Sequence, residues 1–153
     1  MTEKTKPTIL AVDDESPILR MFSRCLGNEC NILTAETLEE ALETIDKRRQ
    51  EIQLLITDIG LTSSEGMEGL NVLLAAERVD IEHRFGMSGR KMNTDEKGDV
   101  NLETNNDLDL EFQIIQAGAQ KIFQKPNHMM AMMRQIRETL GLPEKKCPSD
   151  SKS

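Results

Sequence analysis

Short apolar runs alternate with longer amphipathic stretches along this chain. The apolar runs have the length and composition of buried β-strands, and polar or turn-forming residues bound them. Five of these runs predict strands, although His83 and Arg84 weaken the fourth: residues 8–12, 31–35, 53–57, 81–87 and 120–124. Strands that alternate with helices predict an α/β fold, a doubly wound parallel sheet with helices on both faces.

The stretches between these runs carry apolar residues at helical spacing. Ser16-Pro17 is typical of a helix start, with Ser16 as the cap, and Gly27 is typical of a helix end. Thr37 followed by Glu40 predicts a capping box at the start of the second helix. Three further helices are predicted: from Leu70 onwards, around 112–117 and over 128–140.

Polar residues of a particular kind stand where four of the predicted strands end. Asp13 and Asp14 follow the first strand, Asp58 the third, Ser88 the fourth and Lys125 the fifth. In an open parallel sheet, the segments beyond the carboxyl ends of the strands line one crevice. We therefore expect these side chains to meet in a single site.

This set of side chains fits the handling of Mg²⁺ and a phosphoryl group. Carboxylate oxygens suit Mg²⁺, and a divalent cation relieves the repulsion among three crowded carboxylates. Asp58 stands alone at the end of an apolar strand and is the candidate nucleophile, since an Asp carboxylate can form an aspartyl phosphate. Lys125 and the Ser88 hydroxyl are suited to bind phosphoryl oxygens.

Length, charge and cysteine content narrow the class of protein. A chain of 153 residues fits one domain. Its formal net charge of -8 argues against general nucleic-acid binding, which needs clustered Lys and Arg. The three cysteines, Cys25, Cys30 and Cys147, indicate neither a disulfide framework nor a zinc site, so a reducing cytoplasm is expected. No apolar run has the length of a signal core or a membrane span.

A polar, acidic stretch interrupts the alternation after the fourth strand. From Lys91 to Asp109 it holds six acidic residues and two lysines. Loops of this length are usually functional or disordered, and a mobile, solvated insertion over about 90–108 is favoured over a docking element. We expect a single domain over 1–142 and a flexible tail over 143–153.

In this order, the motifs at the strand ends resemble the receiver domain of two-component response regulators, the CheY-like superfamily. The resemblance covers residues 8 to 140 and rests on four motifs: VDDE at 12–15, ITD at 56–58, MSG at 87–89 and QKP at 124–126. It implies a five-stranded, flavodoxin-like sheet in the order 2-1-3-4-5. It also implies that a sensor histidine kinase or phosphotransfer protein phosphorylates Asp58 to 4-aspartylphosphate.

The same resemblance assigns a role to each site residue. Asp14 and Asp58 would bind Mg²⁺ directly, whereas Asp13 would act mostly through water. Gly60 would offer its backbone carbonyl to the metal. The last two roles follow by position: Ser88 would be the switch hydroxyl and Lys125 the lysine that pairs with the phosphoryl group.

Two positions near the site leave parts of the family's mechanism open. Many receivers carry Tyr or Phe three residues before the lysine, where this chain has Ile122, so signalling is predicted to rely on the loop and helix after Ser88. Arg90 has two interpretations: it covers the phosphoryl group and excludes water, or it projects into solvent.

The expected function is a stand-alone receiver that accepts a phosphoryl group and signals through protein contact or an onward phosphorelay. It would not be an enzyme, apart from catalysing its own phosphorylation and dephosphorylation. The expected partners are the phosphodonor and a downstream protein. A homodimer is left open. Binding to nucleic acid or to a membrane is not expected. Two alternatives remain: a phosphohydrolase of the haloacid-dehalogenase type, and a pseudo-receiver that acts only as an interaction module.

Overall fold

The computed structural model describes residues 5–61, 66–102 and 108–144. The strands within these ranges are Thr8–Val12 (β1), Asn31–Ala35 (β2), Ile52–Asp58 (β3), His83–Ser88 (β4) and Lys121–Gln124 (β5). The helices are Ser16–Leu26 (α1), Leu38–Arg48 (α2), Glu68–Arg78 (α3), Asp109–Gln116 (α4) and Met129–Thr139 (α5). Among the described residues, no helix has the length and apolar character that a membrane crossing requires. Most of the predicted tail, and residues 103–107 of the predicted insertion, lie outside the described ranges.

The strands run parallel in one sheet with the order β2-β1-β3-β4-β5. The number, direction and order of the strands are therefore as predicted. β2 and β3 lie on opposite sides of β1, so the order of the sheet reverses there, and a crevice opens beyond the carboxyl ends of β1 and β3. This crevice is where the predicted site residues are expected to meet.

Successive side chains of the strands point into two apolar layers. One layer is formed with α1 and α5, and the other with α2, α3 and α4. On β5, Phe123 lies in the first layer and Ile122 in the second, and both are fully buried. Ile122 is thus a core residue of the layer that contains α4.

Local signals place the element ends with small corrections. The Thr37 hydroxyl caps α2 as predicted, because it accepts a hydrogen bond from the Glu40 N–H at 3.1 Å. The predicted Ser16 cap is wrong by one residue, since α1 already includes Ser16 and Glu15 occupies the cap position. β4 begins at His83 rather than at residue 81, and α3 begins at Glu68.

The cysteines differ from the expectation of reduced thiols. Cys25, on the buried side of α1, is disulfide-bonded. Cys30 is free and buried, and burial raises the pKa of its thiol to about 11. Cys147 lies outside the described residues. Sequence spacing could not predict the bond at Cys25, because disulfide formation depends on proximity in space.

Residues 92–101, here called the inserted hairpin, belong to the predicted acidic insertion. Thr94 and Val100 form an antiparallel bridge across the hairpin. The Gly98 carbonyl accepts a hydrogen bond from the Ile122 N–H of β5 at 2.9 Å. The hairpin therefore covers the open edge of β5, whereas its polar composition had favoured a freely solvated loop.

The start of α3 lies directly against the end of β3. The Gly69 N–H donates to the Ile59 carbonyl at 2.8 Å. A Cβ built on Gly69 would lie 2.2 Å from the Asp58 carbonyl oxygen. Only a glycine allows this approach, so Gly69 helps to set the position of the segment that follows Asp58.

Gly69→Ala is expected to lower the free energy of unfolding by about 1–3 kcal/mol, because its methyl group would meet main-chain atoms that are held in place. Chemical denaturation measures the loss. Gly89→Ala is the matched control, since a Cβ at that position meets nothing within 4 Å. Equal stability of the two variants would contradict the close packing of α3 on β3.

Candidate functional site

The carboxyl ends of four strands bring the predicted site residues together. Main-chain hydrogen bonds extend the sheet to this edge, including one of 2.8 Å from the Lys125 N–H to the Ser88 carbonyl. A cleft of about 230 Å³ opens here, and its lining residues are Asp14, Glu15, Asp58, Gly60, Ser88, Gly89, Arg90 and Lys125. All the predicted site residues except Asp13 line this cleft.

Lys125 joins the carboxylates of the site. Its Nζ lies 2.9 Å from a carboxylate oxygen of Asp13, 2.9 Å from one of Glu15 and 3.3 Å from one of Asp58. The Asp13 side chain is fully buried, and that of Lys125 is 10% exposed. One largely buried ammonium therefore compensates three negative groups from two other strand ends.

Burial makes the ionised form of Asp58 costly. Desolvation, and then the negative charge of Asp13, raise the pKa of Asp58 to about 6. Lys125 and a hydrogen bond from the Gly60 N–H act in the opposite direction. Burial likewise raises the pKa of Asp13, although Lys125 and the Glu15 N–H favour its ionised form. A further cation near these carboxylates would stabilise their charged state.

The charge of Lys125 is held by its partners. Burial alone would favour the neutral amine, but the hydrogen bond to Asp13 and the charge of Asp58 raise the pKa of Lys125 well above its ordinary value. The side chain therefore stays an ammonium throughout the physiological pH range. It can act as a permanent positive charge at the bottom of the cleft.

Four carboxyl groups form a set that could hold a metal ion. One oxygen from each of Asp13, Asp14, Glu15 and Asp58 lies within 4.8 Å of the others. Oxygen ligands of this kind fit a hard cation such as Mg²⁺. The oxygens of Asp13 already accept hydrogen bonds from Lys125 and from the Glu15 N–H. Asp14, which is exposed, and Asp58 are the better placed for direct contact with an ion in the cleft.

Ser88 and Arg90 are linked to each other and to the segment before α3. Ser88 is 3% exposed, and its Oγ accepts a hydrogen bond from the Arg90 N–H at 3.0 Å. The Arg90 guanidinium donates to the Gly66 carbonyl at 2.6 Å and contacts the Met67 sulfur at 3.1 Å. Arg90 therefore lines the cleft with its guanidinium held by the segment before α3, so the interpretation that it projects into solvent is wrong. That it covers a phosphoryl group stays a prediction.

Sequence reasoning missed two residues of the site, and both adjoin predicted ones. Glu15 shares the Lys125 ammonium with Asp13. Gln124 places its side-chain amide against the main chain that follows Ser88, with its Nε2 2.7 Å from the Arg90 carbonyl. The signal that could have found them is their position inside the VDDE and QKP motifs.

Without divalent cations, Asp58 is expected to titrate near pH 6, which carbon-13 NMR of the carboxyl group can measure. This pKa lies above the ordinary value of 3.8, so the contribution of Asp58 to stability is complete below about pH 4 and is lost as the pH rises through 6. Asp13→Asn should lower the pKa of Asp58, because it removes a buried negative charge. Asp14→Asn is the matched control and should change it less, since Asp14 is exposed and its charge is screened. A wild-type pKa near 4 would contradict this description.

The solved structures that this chain matches in fold include receiver domains. The chain is similar to a CheY-like response regulator receiver domain protein from Methanospirillum hungatei JF-1, with a TM-score of 0.68 and 22% identity over 90% of this chain and 95% of that chain. A receiver domain protein from Clostridium thermocellum gives a TM-score of 0.65 and 21% identity over 88% and 94%. The CheX-CheY-BeF3-Mg+2 complex from Borrelia burgdorferi gives 0.63 and 18% over 88% and 89%. No protein-family model and no curated protein matches the chain. The chain therefore has the fold of these CheY-like receiver domains.

Proposed function

We propose that this protein is a response regulator that accepts a phosphoryl group on Asp58 from a phosphohistidine donor, with Mg²⁺ as the metal. The observation that carries the proposal is the contact of the Lys125 ammonium with Asp58 at 3.3 Å, beside a cluster of carboxylates and the Ser88 hydroxyl. Receiver domains with the same fold support it. The phosphorylated protein passes its state on through protein contact or an onward phosphorelay.

Asp58 is the nucleophile of the proposed transfer. One of its carboxylate oxygens forms a bond to phosphorus while the phosphorus–nitrogen bond of the donor breaks. The electron pair of that bond remains on the imidazole nitrogen of the donor, which then takes up a proton. Asp58 must be ionised to attack, and with a pKa of about 6 it is mostly ionised at pH 7 even before a cation binds.

Lys125 and Ser88 would bind the oxygens of the transferred group. Lys125 already lies against Asp58, so a phosphoryl group on Asp58 brings an oxygen to the same ammonium. The Ser88 Oγ accepts from the Arg90 N–H, which leaves its own proton available for another phosphoryl oxygen. Both groups stabilise negative charge that spreads over the phosphoryl oxygens during transfer.

Asp14, Asp58 and the Gly60 carbonyl would hold Mg²⁺, and Asp13 would act through water. The ion supplies positive charge that offsets the phosphoryl oxygens and the crowded carboxylates. Gly60 fits this role because it lines the cleft and its N–H already fixes the Asp58 carboxylate. Glu15, which extends the acidic set, completes the negative environment on the β1 side.

The proposed partners are proteins. The phosphodonor is a sensor histidine kinase or a phosphotransfer protein, and the recipient is a downstream protein. The Borrelia burgdorferi structure is of a complex between CheX and CheY, and this supports a protein recipient. The only catalysis that we propose is the protein's own phosphorylation and dephosphorylation, with no separate substrate. The cytoplasm is the proposed location, and it rests on the receiver fold rather than on the cysteines, because Cys25 is disulfide-bonded.

Incubation with Mg²⁺ and acetyl phosphate is expected to add the mass of one phosphate to the protein. The Asp58→Asn substitution is expected to abolish this gain. Asp46→Asn, at an exposed position of α2, is the control and should behave as wild type. Intact-protein mass spectrometry reads the result. A folded wild type that gains no mass would contradict the proposal and favour the pseudo-receiver. Repeated turnover of a phosphate monoester would favour a phosphohydrolase of the haloacid-dehalogenase type.

Lys125→Met is expected to slow phosphorylation by acetyl phosphate about 100-fold, because it removes a buried charge that faces the transferred group. Lys121→Met is the matched control, since Lys121 lies at the other end of β5 and pairs with Asp99 at 3.3 Å. The rate of mass gain under identical conditions compares the two. Similar rates for both variants would remove Lys125 from the proposed mechanism.

A further inference from the structure

The side chain of Gln124, the last residue of β5, lies between the cleft and the inserted hairpin. Its Nε2 donates to the Ser88 carbonyl at 3.2 Å and to the Arg90 carbonyl at 2.7 Å. Its Oε1 accepts from the Met92 N–H at 2.6 Å. One amide therefore connects the residue that carries the site hydroxyl with the first residue of the hairpin.

The segment that Gln124 holds is also attached to the cleft. The Arg90 N–H donates to the Ser88 Oγ, and the Arg90 guanidinium donates to the Gly66 carbonyl. When the Ser88 Oγ moves towards a phosphoryl oxygen, the Arg90 N–H must follow or lose this bond. A displacement of Ser88 that keeps this bond therefore moves residues 89–91, where the Arg90 carbonyl accepts a hydrogen bond from the Gln124 amide.

The hairpin is docked on the far side of this connection. The Asn93 N–H donates to the carboxylate of Glu111 on α4 at 2.7 Å, and Glu111 is 2% exposed. On β5, the Ile122 N–H donates to the Gly98 carbonyl, and Lys121 pairs with Asp99. A shift of the Met92 main chain would thus change the contacts of the hairpin with α4 and with the edge of β5.

A second glutamine offers an internal comparison. Gln120 precedes β5, and its Oε1 accepts from the Arg84 N–H at 2.8 Å while its Nε2 donates to the Glu82 carbonyl at 2.9 Å. These bonds resemble those of Gln124 but lie at the opposite end of β4. Substitution of Gln120 therefore shows how the loss of such an amide affects the sheet away from the cleft.

We propose that Gln124 is a positioning residue that fixes residues 88–92 at the cleft and transmits their displacement to the inserted hairpin. The inference rests on the proposed function, because the displacement is the movement of Ser88 towards the phosphoryl group. It assigns a path for this signal in a chain whose Ile122 is an aliphatic residue fully buried in the core. The path runs through main-chain atoms that a single side-chain amide holds together.

Amide hydrogen exchange by NMR tests this inference in wild type, Gln124→Met and Gln120→Met, with and without saturating Mg²⁺ and beryllofluoride as the phosphoryl mimic. Methionine keeps the length of the side chain and removes both kinds of hydrogen bond. In the free protein, the Met92 N–H should exchange about fivefold faster in Gln124→Met, since it loses one hydrogen bond. The Asn101 N–H, which closes the hairpin on the Asn93 carbonyl at 2.7 Å, reports the state of the hairpin.

Beryllofluoride should change the exchange of the Asn101 N–H in wild type and Gln120→Met but not in Gln124→Met. An equal response in Gln124→Met, or a loss of response in Gln120→Met, would overturn the inference while leaving the proposed function in place. A wild type that binds beryllofluoride without any change in the hairpin would overturn it as well. Fluorine-19 NMR shows separately whether beryllofluoride binds, and no binding to the wild type would overturn the proposed function together with the inference.

Discussion

The contact of one ammonium with three carboxylates is the interaction on which this site depends. Lys125 comes from the end of β5, whereas Asp13, Glu15 and Asp58 follow or end β1 and β3. Asp13 and Asp58 are buried, and a buried charge that loses its partner costs several kcal/mol. The parallel sheet makes the contact feasible, because it brings the carboxyl ends of all these strands to one edge.

The backbone around the cleft is held by contacts that cross from one strand end to the next. Gly69 brings α3 against the end of β3, and Arg90 ties the segment after β4 to the segment before α3. Gln124 then joins that same segment to β5 and to the inserted hairpin. A change at Asp58 is therefore well placed to move several surface segments together, although most of its own strand is buried.

Those parts of the structure that follow from local sequence were predictable. The bounds of β1 and β2 and the Thr37 cap depend on apolar runs and on residues a few positions apart. Most of the site could be predicted because each predicted residue ends a strand or lies within two positions of its end. The partners of Arg90 and the disulfide at Cys25 could not, because they depend on groups far away in sequence. The docking of the hairpin was missed for the same reason, since one of its contacts is between main-chain atoms of Gly98 and Ile122.

The central claim is that the carboxylate of Asp58 itself receives the phosphoryl group. Borohydride reduces an acyl phosphate to an alcohol, so reduction of the phosphorylated protein marks the modified aspartate as homoserine. Peptide sequencing by mass spectrometry then locates it. The account predicts homoserine at position 58 and at no other aspartate. A phosphate that survives borohydride as a stable ester on Ser88, or homoserine at position 13 or 14 instead, would contradict it.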